Sequence, residues 1–342
     1  MAPRLRVLSL AVVLGGALWA GSASADPIAD FYRGKTVEIL IGYSPGGGYD
    51  TYARVLARNI GRHIPGNPTV VPKNLPGAGS LKAMNYIYAL APKDGTSFGT
   101  VGRGIALEPL LHGEGTRFDA LKMSWIGSVT NEVSVCVSWK TSPVKTWADL
   151  QSKELIVGGT GSGSDTDTFP KVLKNVLGAK LKLITGYPGG SDVLLAMERG
   201  EVGGRCGWSW SSVTATRPNW LKDGSINILM QIALAKHPDL PNVPIVMDLA
   251  TQETQRAALK LIFSQQAMAR PFVAPPDLPA DRLQALRSAF DETMRDPEFL
   301  AEAEKAQLEV IPISGEAIHD LLVEVYKSPK DAIDLAITAM KP

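Results

Sequence analysis

One arrangement occurs twice along this chain, and it constrains the fold more than any other feature. An apolar run, then Gly-Tyr, Pro-Gly-Gly and an Asp that opens a helical pattern, stands at 41–50 as "IGYSPGGGYD" and at 185–192 as "TGYPGGSD". A strand that feeds a helix through glycines leaves the first helical amides, which have no intrahelical acceptor, at an open turn. Two lobes built on one plan would explain the recurrence. Chance is the alternative, since Pro-Gly turns are common.

The flanking segments predict an α/β fold. "TVEILIGY" reads as a buried strand from Thr36 to Tyr43, and Ala53, Leu56 and Ile60 give a helix over about 51–63. Arg54, Arg58 and Arg62 recur four apart on another face of that helix, the spacing of a solvated stripe. "PTVVPKN", "LKAMNYIYALA" and "TSFGTVGRG" continue as strand, helix and strand. This βαβαβ rhythm implies a parallel sheet with covering helices. "LIVGGTGSGSD" and "LKLITGYPGGSDVLLAMERGEV" repeat the theme in the middle third. The last third is helical: Leu283, Leu286, Phe290 and Met294 form one stripe after Pro279, and amphipathic segments follow near 297–306 and 316–340. Before them, "QQAMARPFVAPPDLPAD" has strand character and a Pro-rich exit, as a crossing between lobes would.

At 342 residues, 45% of them hydrophobic, the chain can build one large domain or two ordinary lobes. A formal charge of +1 without a basic block gives no nucleic-acid footprint. Arg4 and Arg6, the short apolar run "VLSLAVVLGGALWA" and Ala23-Ser24-Ala25 read as a cleavable signal peptide, 1–25, with Asp26 first in the mature chain. The expected product is exported, not lipid-anchored, and monomeric. In an oxidising compartment Cys136 and Cys206 can pair, which would contribute about 4 kcal/mol; free buried thiols are the alternative.

Anion chemistry at the Gly turns has several forms. Phosphate is the first, but G-x-x-x-x-G-K-[ST] is absent, and neither "PGGGYDT" nor "GGTGSGSD" completes G-x-G-x-x-G. Catalysis finds equally little: "GWSWS" ends in Ser211 where a nucleophile elbow needs Gly, and His63, His112, His237 and His319 are scattered without metal spacing. No cofactor or metal is expected. A carboxylate remains, a small oxyanion that several amides can chelate. Facing turns could hold an anionic group at each end of a ligand.

With the turns in place, the sequence resembles the exported solute receptors of tripartite tricarboxylate transporters, the TctC or Bug family. The matching stretches are "GYSPGGGYDTYAR" (42–54), "NLPGAGS" (74–80), "PKDGTSFGT" (92–100), "GTGSGSD" (159–165), "GYPGGSDVLLAMERGEV" (186–202), "HPDLPNVP" (237–244) and "RPFVAPPDLPADRLQALRSAF" (270–290). The resemblance implies a two-lobed periplasmic-binding-protein fold, type II-like, each lobe a mixed sheet flanked by helices, with a hinge between. Lobe 1 would be 26–128 plus 266–342, and lobe 2 would be 129–265. It implies a periplasmic receptor that gives a small carboxylate to a two-component membrane permease. A periplasmic sensor for a signalling partner, or an exported hydrolase or lyase, are the alternatives.

Carried onto this chain, the ligand site takes Tyr43, Ser44, Gly46, Gly47, Gly48, Tyr49 and Asp50 from the first turn. Gly77, Ala78, Gly79 and Arg103 would lie beside them, facing Thr160, Gly161, Ser162, Gly163, Ser164, Tyr187 and Gly189 of the second lobe. The chain departs from the family pattern at "KNLPGAGS" and at "RGEVGGRCGWSWSS". If Arg205 and Trp208 face the cleft, an aromatic or longer carboxylate suits better than a small tricarboxylate; Trp208 in the lobe core is the other reading. Asp50 either caps the helix or accepts a hydrogen bond from ligand or water.

Overall fold

The computed structural model describes residues 26–111 and 113–341, so the expected signal segment and His112 lie outside the described residues. Eleven strands are found there: β1 Thr36–Ile41, β2 Thr69–Asn74, β3 Ser97–Thr100, β4 Ser124–Ser128, β5 Ser134–Trp139, β6 Leu155–Gly158, β7 Leu181–Ile184, β8 Gly204–Ser209, β9 Ile226–Ile232, β10 Pro271–Ala274 and β11 Ile313–Ser314. They form two mixed sheets. The first runs β11-β4-β10-β3-β1-β2 and the second β7-β6-β8-β5-β9. As the βαβαβ rhythm requires, β1 pairs in parallel with both β2 and β3. β10 then enters antiparallel between β3 and β4. In the second sheet β6 lies parallel to β7 and β8, while β5 is antiparallel to β8 and β9. Two α/β lobes result.

The chain crosses between the sheets after β4 and again before β10, and these crossings run side by side. Val129 N donates to Arg270 O (3.2 Å), Ala269 N to Thr130 O (3.0 Å) and Glu132 N to Gln266 O (2.9 Å). Such a two-stranded connection bends more easily than the packed lobes on either side, which makes it the hinge.

Alternation along β1 divides the core. Ile39 and Ile41 face a layer with Leu56, Ile60, Phe272 and Phe290, whereas Leu40 faces the opposite layer. A separate cluster in the second lobe gathers Val135, Val137, Met197, Trp208, Trp210 and Trp220. The C-terminal helix Lys330–Ala339 packs on the helix Glu253–Phe263, and Asn175 Nδ2 donates to Ala339 O (3.1 Å), so the tail also touches the second lobe.

Several local expectations change in detail. The helix expected at 51–63 starts at Gly48, three residues before Thr51, because glycine itself enters its first turn, and a short helix, Pro27–Tyr32, precedes it. Its arginines are not merely solvated: Arg58 pairs with Glu302 and Arg62 with Asp296, fastening the helix to its neighbour Pro297–Lys305. The segment expected at 316–340 is two helices, broken at Pro329, whose ring cannot continue the first. Pro72 is tolerated because β2 is an edge strand. Cys136 and Cys206 stand opposite each other on β5 and β8 and form a disulfide. Among the described residues no helix is long and apolar enough to cross a membrane.

Candidate functional site

The two Gly turns meet across the lobes. One opens the helix Gly48–Ile60 and the other the helix Gly190–Glu198. A methyl group placed on Gly47 would lie 3.9 Å from the Gly190 amide nitrogen and 3.7 Å from Ser191 Oγ. First-turn amides from both helices, and the positive ends of both dipoles, therefore converge on one point. A third helix, Asp165–Leu177, brings Asp165 and Thr166 to the same place. Between them is a cavity of about 30 Å³. That is room for one water molecule, so an organic ligand enters only when the lobes part.

Of the residues singled out from sequence, Tyr43, Gly46, Gly47, Gly48, Tyr49, Thr160, Arg205 and Trp208 line this cavity. The others stand behind it or fasten the lobes. Ser44 Oγ donates to Asp192 Oδ2 (2.5 Å) across the rim, beside Gly189. The "PGAGS" loop and the "GTGSGS" loop press backbone to backbone, with Gly79 N donating to Thr160 O at 2.7 Å. Gly77, Ala78, Gly79, Gly161, Ser162, Gly163 and Ser164 thus lie outside the cavity lining, and Gly79 and Gly161 form the contact between lobes. Tyr187 is half-buried beside Gly158, also outside the lining.

Asp50 is turned away from the cavity. Its carboxylate accepts from Gly46 N (2.9 Å), Arg54 Nε (2.9 Å) and Asn74 Nδ2 (2.9 Å). Burial raises its pKa, but these hydrogen bonds outweigh burial and hold it below the usual carboxylate range. Asp50 therefore stiffens the Gly turn from within the first helical turn, and Arg54 is part of that brace.

Three guanidiniums surround the cavity. Arg103, 1% exposed, reaches from the first lobe to Asp165 Oδ2 (2.5 Å), Ser134 Oγ (2.7 Å) and Ser209 Oγ (3.3 Å). Arg270, equally buried, meets Glu132 (3.4 Å) and Ser212 Oγ (2.9 Å) and lies over the Tyr49 ring at 4.7 Å. Arg205 is different. It is 9% exposed, and among the described residues its side chain makes one hydrogen bond, to Gly190 O at 3.3 Å, and no ion pair, whereas the Nε atoms of all three arginines are unpartnered. Burial, with Arg270 and Arg103 nearby, pulls its pKa down to about 10 against a smaller opposing pull from Asp165.

A bulge in β8 sets the position of Arg205. Val137 opposes Arg205 and Val135 opposes Trp208, so one extra residue separates the pair and puts both on one face. The guanidinium then stacks over Trp208 at 5.3 Å. Trp208 accordingly fills both sequence-based roles: 1% exposed in the lobe core, and with one edge on the cavity.

Sequence reasoning missed Asp165, Thr166, Gly190, Ser191, Leu194, Ser209, Ser212, Thr216 and Arg270 as lining residues. The signal for Asp165 was its place ending "GTGSGSD". Arg270 opened a quoted motif but was read only as part of a crossing. Among the described residues, His63, His237 and His319 do not line the cavity.

The profile described as "Tripartite tricarboxylate transporter family receptor" (TctC) matches residues 52–335. A UPF0065 protein of the gbd 5′ region in Cupriavidus necator is 24% identical over 325 residues, spanning 93% of this chain and 92% of the relative. Among solved structures, the periplasmic binding protein BugD superposes with a TM-score of 0.72 at 19% identity, covering 88% of this chain and 96% of BugD. An R. palustris protein with adipate gives 0.69 at 18%, covering 88% and 97%. At these identities the structural likeness shows the fold. The chain belongs to the tripartite tricarboxylate transporter receptor family, whose members are solute-binding receptors and not enzymes.

Proposed function

We propose that this chain captures a small organic carboxylate between its lobes and delivers it, in the periplasm and as a monomer, to a two-component membrane permease. The observation that carries the ligand class is Arg205, a buried cation with no ion-pair partner among the described residues, where two helix N-termini from opposite lobes meet. Leaving a buried charge unpaired costs several kcal/mol. A ligand carboxylate offsets that cost through charge-assisted hydrogen bonds. Family membership and the adipate in the R. palustris neighbour agree with the class. Export is supported by the signal-like residues 1–25.

On this reading the cavity-lining turns and Arg205 contact the ligand, while "PGAGS" and "GTGSGS" secure the closed form. Lobes of 26–128 with 266–342 and 129–265 agree with the strand ranges of the two sheets. Ligand binding favours the closed form because only there do both turns reach the same anion.

Thermal denaturation against mono-, di- and tricarboxylates tests the reading. A ligand at about 100 times its Kd adds about 2.7 kcal/mol. The matched amides should give no shift. A panel in which no carboxylate stabilises the protein would overturn it.

A further inference from the structure

Building on the carboxylate reading, we propose that the closed cleft is balanced for one net negative charge: its ligand is a monocarboxylate with a neutral, hydrogen-bonding remainder, not a di- or tricarboxylate. The charges around the cavity cancel in pairs except for one. Arg103 has Asp165 at 2.5 Å and Arg270 has Glu132 at 3.4 Å; Arg205 forms no ion pair among the described residues and feels Asp165 only as a carboxylate already held by Arg103. Tyr43 and Tyr49 are neutral, since burial raises both above their ordinary values. Asp50 is already matched by Arg54, and Asp192, bonded to Ser44 Oγ at the rim, lies outside the cavity lining and outside this count.

The positive features also share one location. Gly47 and Gly190 are nearly in contact, and a methyl on Gly190 would lie 2.8 Å from Arg205 Nη1. Both helix N-termini and the free guanidinium thus serve a single carboxylate subsite. The remaining wall is neutral: Thr160, Ser209, Ser212 and Thr216 offer hydroxyls, and Leu194 and Trp208 offer apolar surface. A second carboxylate placed there would be desolvated without a cation. The paired turns therefore do not grip two anionic ends, as their repetition in the sequence first suggests. They close on one.

The test is isothermal calorimetry at pH 7 on the intact protein with matched pairs of 2-hydroxy acids, from three to six carbons. Each pair differs only in a second carboxylate, as 2-hydroxybutyrate does from malate. In the pair that binds best, the monoanion is expected to bind at least tenfold more tightly. A dianion that binds should take up about one proton, on itself or on Glu132, seen by repeating the titration in buffers of different ionisation enthalpy. A dianion binding as tightly without proton uptake overturns the inference and leaves the carboxylate reading standing. No binding by any member overturns both. Asp165→Asn removes the carboxylate from Arg103 and should shift the preference toward the dianion by tenfold or more. An unchanged ranking in the folded variant would overturn the charge count even where the wild-type ranking agrees with it.

Discussion

Replacing Arg205 with Met should make the protein more stable and less able to bind. Burial first, outweighing opposing pulls from Asp165 and Tyr43 and helped by Arg270 and Arg103, holds the Arg205 pKa at about 10, well below its ordinary value. That gap corresponds to ~3 kcal/mol of destabilisation of the charged form in the folded protein. The sign follows from the direction: a base whose folded pKa is depressed carries its full penalty below the folded value, and loses it as pH rises toward the unfolded one. At pH 7 the whole penalty applies. Met retains most of the stem's packing but loses the stacking on Trp208, worth about 1 kcal/mol, and a long hydrogen bond to Gly190 O. The net gain is about 2 kcal/mol. With an unfolding entropy near 2.1 cal/mol/K per residue over roughly 320 residues, that raises Tm by about 3 °C. Calorimetric melting of the ligand-free variant at pH 7 measures this, and titration with the best wild-type ligand measures the loss of binding. A lower Tm would mean that the protein itself already compensates the charge. Undiminished affinity would mean that the carboxylate docks elsewhere.

Gly79→Ala should weaken ligand binding about 10- to 100-fold by obstructing closure: its φ is +63° and a Cβ would sit 2.6 Å from Ser162 O of the facing lobe. Small-angle scattering should then show less compaction on ligand addition, and wild-type compaction would sink the idea. Gly207→Ala should cost about 2 kcal/mol in urea unfolding and also impair binding, because the bulge that aligns Arg205 with Trp208 has φ +78° there and a Cβ would lie 2.6 Å from Asp165 O. Wild-type behaviour in both assays would show that the bulge does not depend on glycine. Burial raises the Asp296 pKa, but hydrogen bonds from His63, the Glu298 amide and Arg62 prevail and hold it at about 2. Its contribution to stability is therefore complete above about pH 4 and is lost as pH falls toward 2. Asp296→Asn should flatten that acid limb of the stability curve; an unaltered slope would refute the assignment.

The strands β1, β2, β3, β6, β7 and β10 were legible as short apolar runs beside glycine or proline turns, whereas β4, β8, β9 and β11 went unread; the helices were legible because their apolar residues recur at three to four. Boundaries failed where one residue has two meanings: Gly48 looked like turn and is helix, while Pro329 divides a continuous apolar stripe. The anion-facing turns could be read from their glycines alone. The charge pattern could not, because it depends on partners far away in sequence. Arg103 meets Asp165 across 62 residues, and Arg270 meets Glu132 across 138. Arg205 attracted notice as a departure from the family pattern, but its stacking on Trp208 requires a bulge that alternation does not announce. Strict alternation would put residues three apart on opposite faces.

Closure and recognition are divided between two kinds of contact. The lobes are joined by bonds that involve no ligand: Gly79 N to Thr160 O, Ser191 Oγ to Pro45 O, Ser44 to Asp192, Arg103 to Asp165. With those alone, the empty protein would shut as readily as the loaded one. Arg205 opposes that. Its burial draws on residues of both lobes, Tyr43 and the first Gly turn among them, so parting the lobes would re-expose one side of the guanidinium while Trp208 stays stacked on the other. The share of the burial penalty that opening relieves biases the empty protein against the closed form, and a bound carboxylate offsets it. On the proposed reading, the same unpaired charge would both select the ligand and keep closure conditional on it. Arg205→Met, stabilised and freed of that bias, should populate the closed form without any ligand.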